Sequence, residues 1–244
     1  MNHAGEIAAL TKMVKPEVAI ITTVEAVHLE FFKSVEAIAD AKAEIFEGLS
    51  ASGTAILNAD NAHFARLKKA AGKNVIACGA SGDCRILSYH SNACGSTIKA
   101  SIFGKEIDYV LAAIGKHWAM TSLFALATAH ALGLDAKKSA EALAAFSEPE
   151  GRGQAMRIRV ANGEALLIDD SYNASPASMR AAFGKTAEYW QAAGKQGRKI
   201  AALGDMLELG AESEALHVGL VKDLELAGFD AVFTAGKRMQ ALQN

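Results

Sequence analysis

The sequence predicts an α/β fold with two units, the first built on a mostly parallel sheet and the second Rossmann-like. Short β-branched, apolar runs alternate with stretches of helical periodicity along the chain, as in parallel sheets covered by helices. The 244 residues are 51% hydrophobic, enough for a substantial core. A segment with one proline, two glycines and charged residues, 149–153, is the expected boundary between the units.

The first unit is expected to begin with a short helix and a buried strand. Residues 2–14 predict a turn followed by the helix, with Glu6 in its first turn, and Pro16 separates it from a strand at 18–24. A unit of this class that opens on a helix is expected to lack the strand before it. We therefore expect the chain to be a fragment.

The next predicted helix carries a lysine on its apolar face. Ser34 is the expected N-cap, and the apolar periodicity continues to Leu49 with Lys42 among its positions. Two interpretations are open from the residues alone. Periodicity favours a stem that packs while the ammonium reaches water. Alternatively, burial lowers the lysine pKa, and the neutral amine reacts with carbon dioxide to give a carbamate, an oxygen ligand suited to Mg²⁺. His28 would be a second ligand, although a single histidine is more often structural.

Polar residues follow the next predicted strand, 54–57. Asn58, Asp60 and Asn61 stand at its carboxyl end, where open α/β sheets bind ligands. A structural alternative is that Asp60 or Asn61 caps a helix at 62–71. We favour a site role for Asn58 and Asp60.

The rest of the first unit contains short segments and two helices, with no chemistry assigned from the residues. We expect strands at 74–78, 85–90, 97–103 and 106–112, the last three antiparallel, and helices at 115–132 and 136–146.

The second unit is expected to place a polar loop between a strand and a helix. Strands are predicted at 156–160, 165–168, 199–203 and 230–234, and helices from Pro176 onward and at 212–227. Ser175 is the expected cap of the first of these helices. Capping does not explain the preceding Asp169-Asp170-Ser171-Tyr172-Asn173.

Composition excludes several function classes. The net charge of −2 gives no electrostatic case for nucleic acid or a membrane surface. No apolar run reaches membrane-spanning length, and the N-terminus is no signal peptide. Three cysteines without metal-type spacing are expected to be reduced thiols of a cytoplasmic protein. We expect a monomer.

His28-Leu29-Glu30, followed by Ala-Lys-Ala-Glu-Ile-Phe at 41–46, resembles the central domain of the Mur ligases, ATP-dependent amide ligases of peptidoglycan synthesis. The resemblance implies that Lys42 is carbamylated and that His28 holds a magnesium ion. It also implies that Arg152, in the linker, reaches the γ-phosphate of ATP. Lys42 and Arg152 are thus the expected catalytic residues, with ATP and Mg²⁺ as cofactors.

Three further segments are similar to the branch of the family that adds D-alanyl-D-alanine to UDP-N-acetylmuramoyl-tripeptide through an acyl phosphate. They are Asn-His-Ala-Gly-Glu-Ile at 2–7, Asp-Asp-Ser-Tyr-Asn-Ala at 169–174 and Gly-Asp-Met-Leu-Glu-Leu-Gly at 204–210. The implied nucleotide-binding residues are Asn58, Asp60, His117, Thr121, Arg152 and Asp170, and the implied substrate-binding residues are Asn2, His3, Tyr172 and Asn173. Trp118 and Thr121 replace two asparagines of the family pattern, one of which often faces the adenine.

The resemblance implies a central ATP-binding domain at 1–148, incomplete at its N-terminus, and a C-terminal domain at 149–244, incomplete at its C-terminus. No G-x-x-x-x-G-K-[ST] phosphate loop occurs in these residues, so we expect that the 244-residue chain alone does not turn over. The alternatives are another Mur-type ligase, adding diaminopimelate or lysine, a folylpolyglutamate synthase-like enzyme, or a non-catalytic remnant.

Overall fold

The computed structural model describes residues 1–72, 74–92, 94–161 and 163–242. The helices are α1 Glu6–Val14, α2 Val35–Ala43, α3 Phe64–Ala71, α4 Lys116–Ala131, α5 Ala136–Ala142, α6 Pro176–Ala192, α7 Ser213–Val218 and α8 Leu220–Ala227. The strands are β1 Val18–Ile21, β2 Thr54–Asn58, β3 Val75–Cys78, β4 Cys84–Asn92, β5 Gly95–Ile102, β6 Lys105–Leu111, β7 Gln154–Val160, β8 Gly163–Asp169, β9 Ile200–Gly204 and β10 Ala231–Ala235. Short 3₁₀ helices cover Glu44–Gly48, Leu143–Ala145, Gly210–Glu212 and Arg238–Leu242.

The first unit is organised by a six-stranded sheet in the order β1-β2-β3-β4-β5-β6. The strands β1 to β4 pair in parallel, and β4, β5 and β6 pair antiparallel. Helix α4 packs on this sheet through buried residues such as Leu123 and Leu126. The predicted α/β class and the antiparallel segment are both confirmed.

The second unit contains two smaller sheets. Strands β9 and β10 pair in parallel, and β7 and β8 form an antiparallel pair. Helices α6 and α8 contribute Met179, Phe183, Leu220 and Leu224 to a separate apolar cluster with residues of β9. None of the described helices in either unit is long and apolar enough to cross a membrane.

The predicted helix from Ser34 to Leu49 is wrong in its second half. Ser34 caps α2 by accepting the Ala37 amide N–H at 3.3 Å, as expected, but α2 ends at Ala43 and a 3₁₀ helix follows. This tightening lets the Glu44 carboxylate accept the amide N–H groups of Gly5 (2.7 Å) and Ala8 (3.1 Å) at the start of α1. Contacts with α1 therefore override the helical periodicity of the sequence.

Two other elements are shorter than their periodicity predicts. Strand β1 ends at Ile21 rather than residue 24, because side chains take the next carbonyls: Asn58 donates to Thr22 O at 2.9 Å and Lys42 to Thr23 O at 2.8 Å. The helix predicted over 212–227 is two helices that meet at Gly219. The cap predicted at Ser175, with Pro176 behind it, is confirmed.

Candidate functional site

The loop after β1 is the centre of the first group of candidate residues. The Lys42 ammonium on α2 donates to Thr23 O, and the Asn61 amide donates to Thr23 Oγ1 (3.2 Å) and Val24 O (3.1 Å). Thr23 in turn donates its hydroxyl hydrogen to Glu25 at 2.7 Å. Side chains from α2 and from the turn after β2 therefore converge on the carboxyl end of β1.

The surroundings of Lys42 lower the pKa of its amine. The residue is half-buried, and desolvation lowers its pKa below the ordinary lysine value, while the Glu25 carboxylate acts in the opposite direction. A lowered pKa increases the fraction of neutral, nucleophilic amine at a given pH.

His28 projects from the same loop toward the second unit. Its backbone is left-handed (φ 58°), and its Nδ1 is hydrogen-bonded to the carboxylate of Glu208. Among the described residues, none forms a hydrogen bond with His28 Nε2.

The residues after β2 form turns rather than a helix cap. Asn58 accepts the Asp60 amide N–H at 3.0 Å, and Asp60 accepts the Ala80 amide N–H at 2.8 Å. Helix α3 begins at Phe64 without a side-chain cap. Capping of this helix by Asp60 or Asn61 is therefore wrong: Asp60 binds the Ala80 amide, and Asn61 Oδ1 accepts the His63 amide N–H at 3.0 Å, one residue before the helix begins.

The N-terminal segment lies beside the His28 loop. Glu6 accepts the Asn2 amide N–H at 2.9 Å and contacts His3 Nδ1 at 3.2 Å, and these bonds lower the pKa of Glu6. The His3 ring lies 5.6 Å from the Phe31 ring, centroid to centroid. Asn2 and His3 are thereby held near the loop that carries His28.

A second group of candidate residues surrounds the linker. The Arg152 guanidinium lies over the Tyr172 ring, 3.9 Å from its centroid. The Tyr172 amide donates to Gly151 O at 3.0 Å. Asp170 is half-buried, and its pKa is raised by desolvation, against the opposing effect of the Lys185 and Arg152 charges. Asn173 is exposed and accepts the Ala174 amide N–H.

His117 and Thr121 lie on the first turns of α4. Desolvation around the His117 ring, with the nearby Lys185 charge, lowers its pKa to about 4, although the residue keeps solvent access. Thr121 donates its hydroxyl hydrogen to His117 O at 2.9 Å. Trp118 Nε1 is buried and has no hydrogen-bond partner within the described part of the chain.

Sequence reasoning missed the residues that fix the linker to the second unit. Lys185 on α6 is almost fully buried, and its ammonium binds both the Glu148 carboxylate and the Gly153 carbonyl. Gly153 has φ 86°, and a Cβ there would lie 3.0 Å from Lys185 Nζ. No local pattern marks Lys185, because its partners are more than 30 residues away.

Tyr89 was also missed, and it joins the two units. Its hydroxyl donates to Glu188 on α6 at 2.6 Å and accepts the Gly115 amide N–H at 2.8 Å, directly before α4. Glu188 lies three residues after Lys185, so the same face of α6 contacts the linker and the first unit.

The atoms that His28 and a carbamylated Lys42 would offer are of types that bind magnesium. A free imidazole nitrogen at His28 and a half-buried amine at Lys42, once carbamylated, would supply one nitrogen and oxygen donors. No cluster of three or more histidine, cysteine or carboxylate side chains suited to a metal occurs among the described residues.

Family models match both units. The Mur ligase middle domain matches residues 1–129, and the Mur ligase glutamate ligase domain matches residues 151–244. The chain belongs to the Mur ligase family. This confirms the resemblance drawn from the motifs, whereas the domain limits of 1–148 and 149–244 stay a prediction.

Among curated relatives, this Mur ligase chain is similar to UDP-N-acetylmuramoyl-tripeptide–D-alanyl-D-alanine ligases. The Escherichia coli K12 protein is 36% identical over 99% of the chain, and that of Rickettsia prowazekii is 35% identical over 97%. The chain spans about half of these relatives' own length, 52% in both cases.

Solved structures of Mur ligases resemble the structure of this chain. A crystal structure of MurF from Acinetobacter baumannii superposes with a TM-score of 0.90 at 29% identity, over 100% of this chain and 52% of that one. MurF from Thermotoga maritima in complex with ADP gives 0.84 at 24% identity, over 98% and 53%, which shows the shared fold.

Proposed function

We propose that the chain is part of an ATP-dependent ligase that joins D-alanyl-D-alanine to UDP-N-acetylmuramoyl-tripeptide. The observation that carries the proposal is 36% identity over 99% of the chain to a ligase of that name. The folylpolyglutamate synthase of Mycobacterium tuberculosis matches at 20% identity, and this likeness shows a common fold alone.

In the proposed reaction, ATP phosphorylates the terminal carboxylate of the tripeptide, and the amine of D-alanyl-D-alanine attacks the acyl phosphate. Phosphate then leaves as the amide bond forms. Such phosphoryl transfer depends on positioning and charge neutralisation. The Arg152 guanidinium would contact the γ-phosphate, a contact that suits its planar fork of donors.

The remaining residues would bind and orient. Asn58, Asp60, His117, Thr121 and Asp170 would hold the nucleotide, and Asn2, His3, Tyr172 and Asn173 would contact the substrate. His117 would act as a neutral hydrogen-bonding group, since its lowered pKa keeps it uncharged at pH 7. His28 and carbamylated Lys42 would hold Mg²⁺, which when bound neutralises phosphate charge. The monomeric state stays a prediction.

The test is a chimera in which these 244 residues replace the matching part of the E. coli ligase. We expect phosphate release that requires both the tripeptide substrate and D-alanyl-D-alanine. An Arg152→Ala chimera should retain its fold by circular dichroism and lose at least about 100-fold in kcat.

Release driven by diaminopimelate or lysine, and not by D-alanyl-D-alanine, would contradict the proposal. The unfused chain should release no phosphate with any acceptor, because no phosphate loop occurs in its sequence.

A further inference from the structure

The hydrogen bond between His28 and Glu208 joins the candidate metal ligand to the second unit. Glu208 belongs to the Gly-Asp-Met-Leu-Glu-Leu-Gly segment, whose chemistry the proposed function does not use, and lies 180 residues beyond His28. Both side chains are partly shielded, with 28% of His28 and 39% of Glu208 exposed. The imidazole therefore keeps contact with solvent while its Nδ1 contacts the carboxylate.

The surrounding backbone holds this pair in place. His28 and Glu208 both adopt left-handed conformations, with φ of 58° and 59°, which are unfavourable for residues other than glycine. The Glu30 amide donates to Glu208 O at 3.1 Å, and a Cβ on Gly210 would lie 3.3 Å from Glu30 Cα. The two loops are thus packed together, and each brings its strained residue to the shared hydrogen bond.

The chemistry of the pair determines which imidazole nitrogen is free. An ionised carboxylate only accepts hydrogen bonds, so Nδ1 of His28 must carry the proton. A ring that carries its one proton on Nδ1 has its lone pair on Nε2, which no described residue engages. A carboxylate that accepts from the second nitrogen of a histidine ligand fixes its tautomer and orientation.

We propose that Glu208 is a positioning residue that holds His28 in the Nδ1–H tautomer and presents Nε2 to a divalent cation. The identity of the cation rests on the proposed function. The tautomer does not, because it follows from the hydrogen bond between His28 and Glu208. Its consequence is coupling between the two units: cation binding at His28 favours the arrangement in which Glu208 contacts it, and that arrangement favours binding by the same factor.

The test is ¹H–¹⁵N NMR of the imidazole rings in the 244-residue chain at pH 8 with bicarbonate, with Mn²⁺ as the probe. His28→Gln assigns the His28 signals. We expect the Nδ1–H tautomer at His28, and selective broadening of its Nε2 and Hε1 signals by Mn²⁺. Glu208→Ala should shift the ring toward the Nε2–H form and weaken Mn²⁺ binding about 10- to 100-fold.

Two further variants separate orientation from general packing. Glu208→Gln keeps an acceptor oxygen and should preserve the Nδ1–H tautomer. Glu212→Ala removes an exposed carboxylate in the same segment and should change neither the tautomer nor the affinity.

An Nε2–H tautomer in the wild-type chain would overturn the proposal, as would Mn²⁺ that leaves His28 unbroadened or binds Glu208→Ala with unchanged affinity. If Glu208→Ala does not fold, the spectra of the wild-type chain and of Glu208→Gln still show which nitrogen of His28 carries the proton. Failure of the ligase assay with these NMR results intact would count against the proposed substrates alone.

Discussion

The position of Lys42 combines features of both interpretations that its sequence allows. Its stem lies on the buried side of α2, but its ammonium ends on the Thr23 carbonyl rather than in bulk water. Desolvation outweighs the nearby Glu25 charge and lowers the pKa. The amine therefore loses its proton more readily than that of an exposed lysine, while it is held at one end of β1.

Carbamylation of Lys42 can be measured directly. In ¹³C-bicarbonate buffer, we expect one protein-bound carbamate signal by ¹³C NMR, growing from pH 7 to pH 9 as the amine loses its proton. Lys42→Arg should abolish the signal because a guanidinium stays charged. Lys69→Arg, at an exposed lysine on α3, should leave it intact. A signal that survives in Lys42→Arg would contradict the assignment.

His117 should make the stability of the chain depend on pH. Its pKa is about 4 in the folded chain and about 6.5 when unfolded. Between these values the unfolded state binds more protons, so the free energy of unfolding rises with pH. From pH 7 to pH 5 we expect His117 to account for a loss of about 1 kcal/mol, after allowance for solvent screening.

Urea unfolding at the two pH values checks this expectation. His117→Gln should lose less stability than the wild type on acidification, whereas the same substitution at His90, an exposed histidine on β4, should not reduce the loss. Equal losses in the wild type and His117→Gln would show that other groups carry the pH dependence.

At the scale of elements, the linker that carries Arg152 is fixed by a buried charge pair. The side chains of Lys185 and Glu148 are only 1% and 7% exposed. Removing one partner leaves the other charge buried and unpaired. We therefore expect Lys185→Met to lower the free energy of unfolding by about 3–5 kcal/mol in urea titrations.

Two variants distinguish a buried charge from lost packing. Adding Glu148→Gln to Lys185→Met should recover a large part of the loss. Arg157→Met breaks the exposed pair with Glu164, whose atoms are 3.7 Å apart, and should cost at most about 1 kcal/mol. A double variant as unstable as Lys185→Met would point to packing instead.

Glycine-to-alanine substitutions should have opposite effects on stability at two positions, one in the contact between α1 and the 3₁₀ helix after α2 and one on α6. A Cβ at Gly48 would lie 2.2 Å from the Thr11 carbonyl oxygen, whereas a Cβ at Gly184 in α6 meets nothing within 4 Å. We expect Gly48→Ala to destabilise by about 1–3 kcal/mol and Gly184→Ala to stabilise by about 0.5–1 kcal/mol in thermal unfolding. A neutral Gly48→Ala would mean that these two helices separate readily.

The sequence predicted most element types because periodicity and caps are local. It failed where distant partners decide the ends: Glu44 turns toward α1, and side chains from α2 and β2 terminate β1. The same holds for the site. Motifs identified His28, Lys42 and Arg152, but Glu208, Lys185 and Tyr89 have roles that depend on contacts 26 to 180 residues away.

At the scale of the molecule, the contacts that connect the units include two that involve candidate residues. One is the His28–Glu208 pair with its backbone bond, and the other is the bond from Tyr89 to Glu188. The first involves the candidate cation site, and the second lies at the start of the helix that carries His117. The candidate residues of both units thus depend on how the units are joined.

The Tyr89–Glu188 bond should make the two units unfold together. The chain has two tryptophans, Trp118 on α4 and Trp190 on α6, so Trp190→Phe and Trp118→Phe each leave a reporter in one unit. We expect the two reporters to give one urea midpoint in the parent chain. Tyr89→Phe should lower stability by about 1–2 kcal/mol and separate the midpoints, because the Gly115 amide and Glu188 lose their shared partner.

Glu188→Gln is the matched control for this experiment, because its amide oxygen still accepts the Tyr89 hydroxyl hydrogen. Its midpoints should stay together, with a smaller loss of stability. If Tyr89→Phe instead lowers both midpoints equally, the units are held together by their other contacts, and the His28–Glu208 junction then suffices for their cooperation.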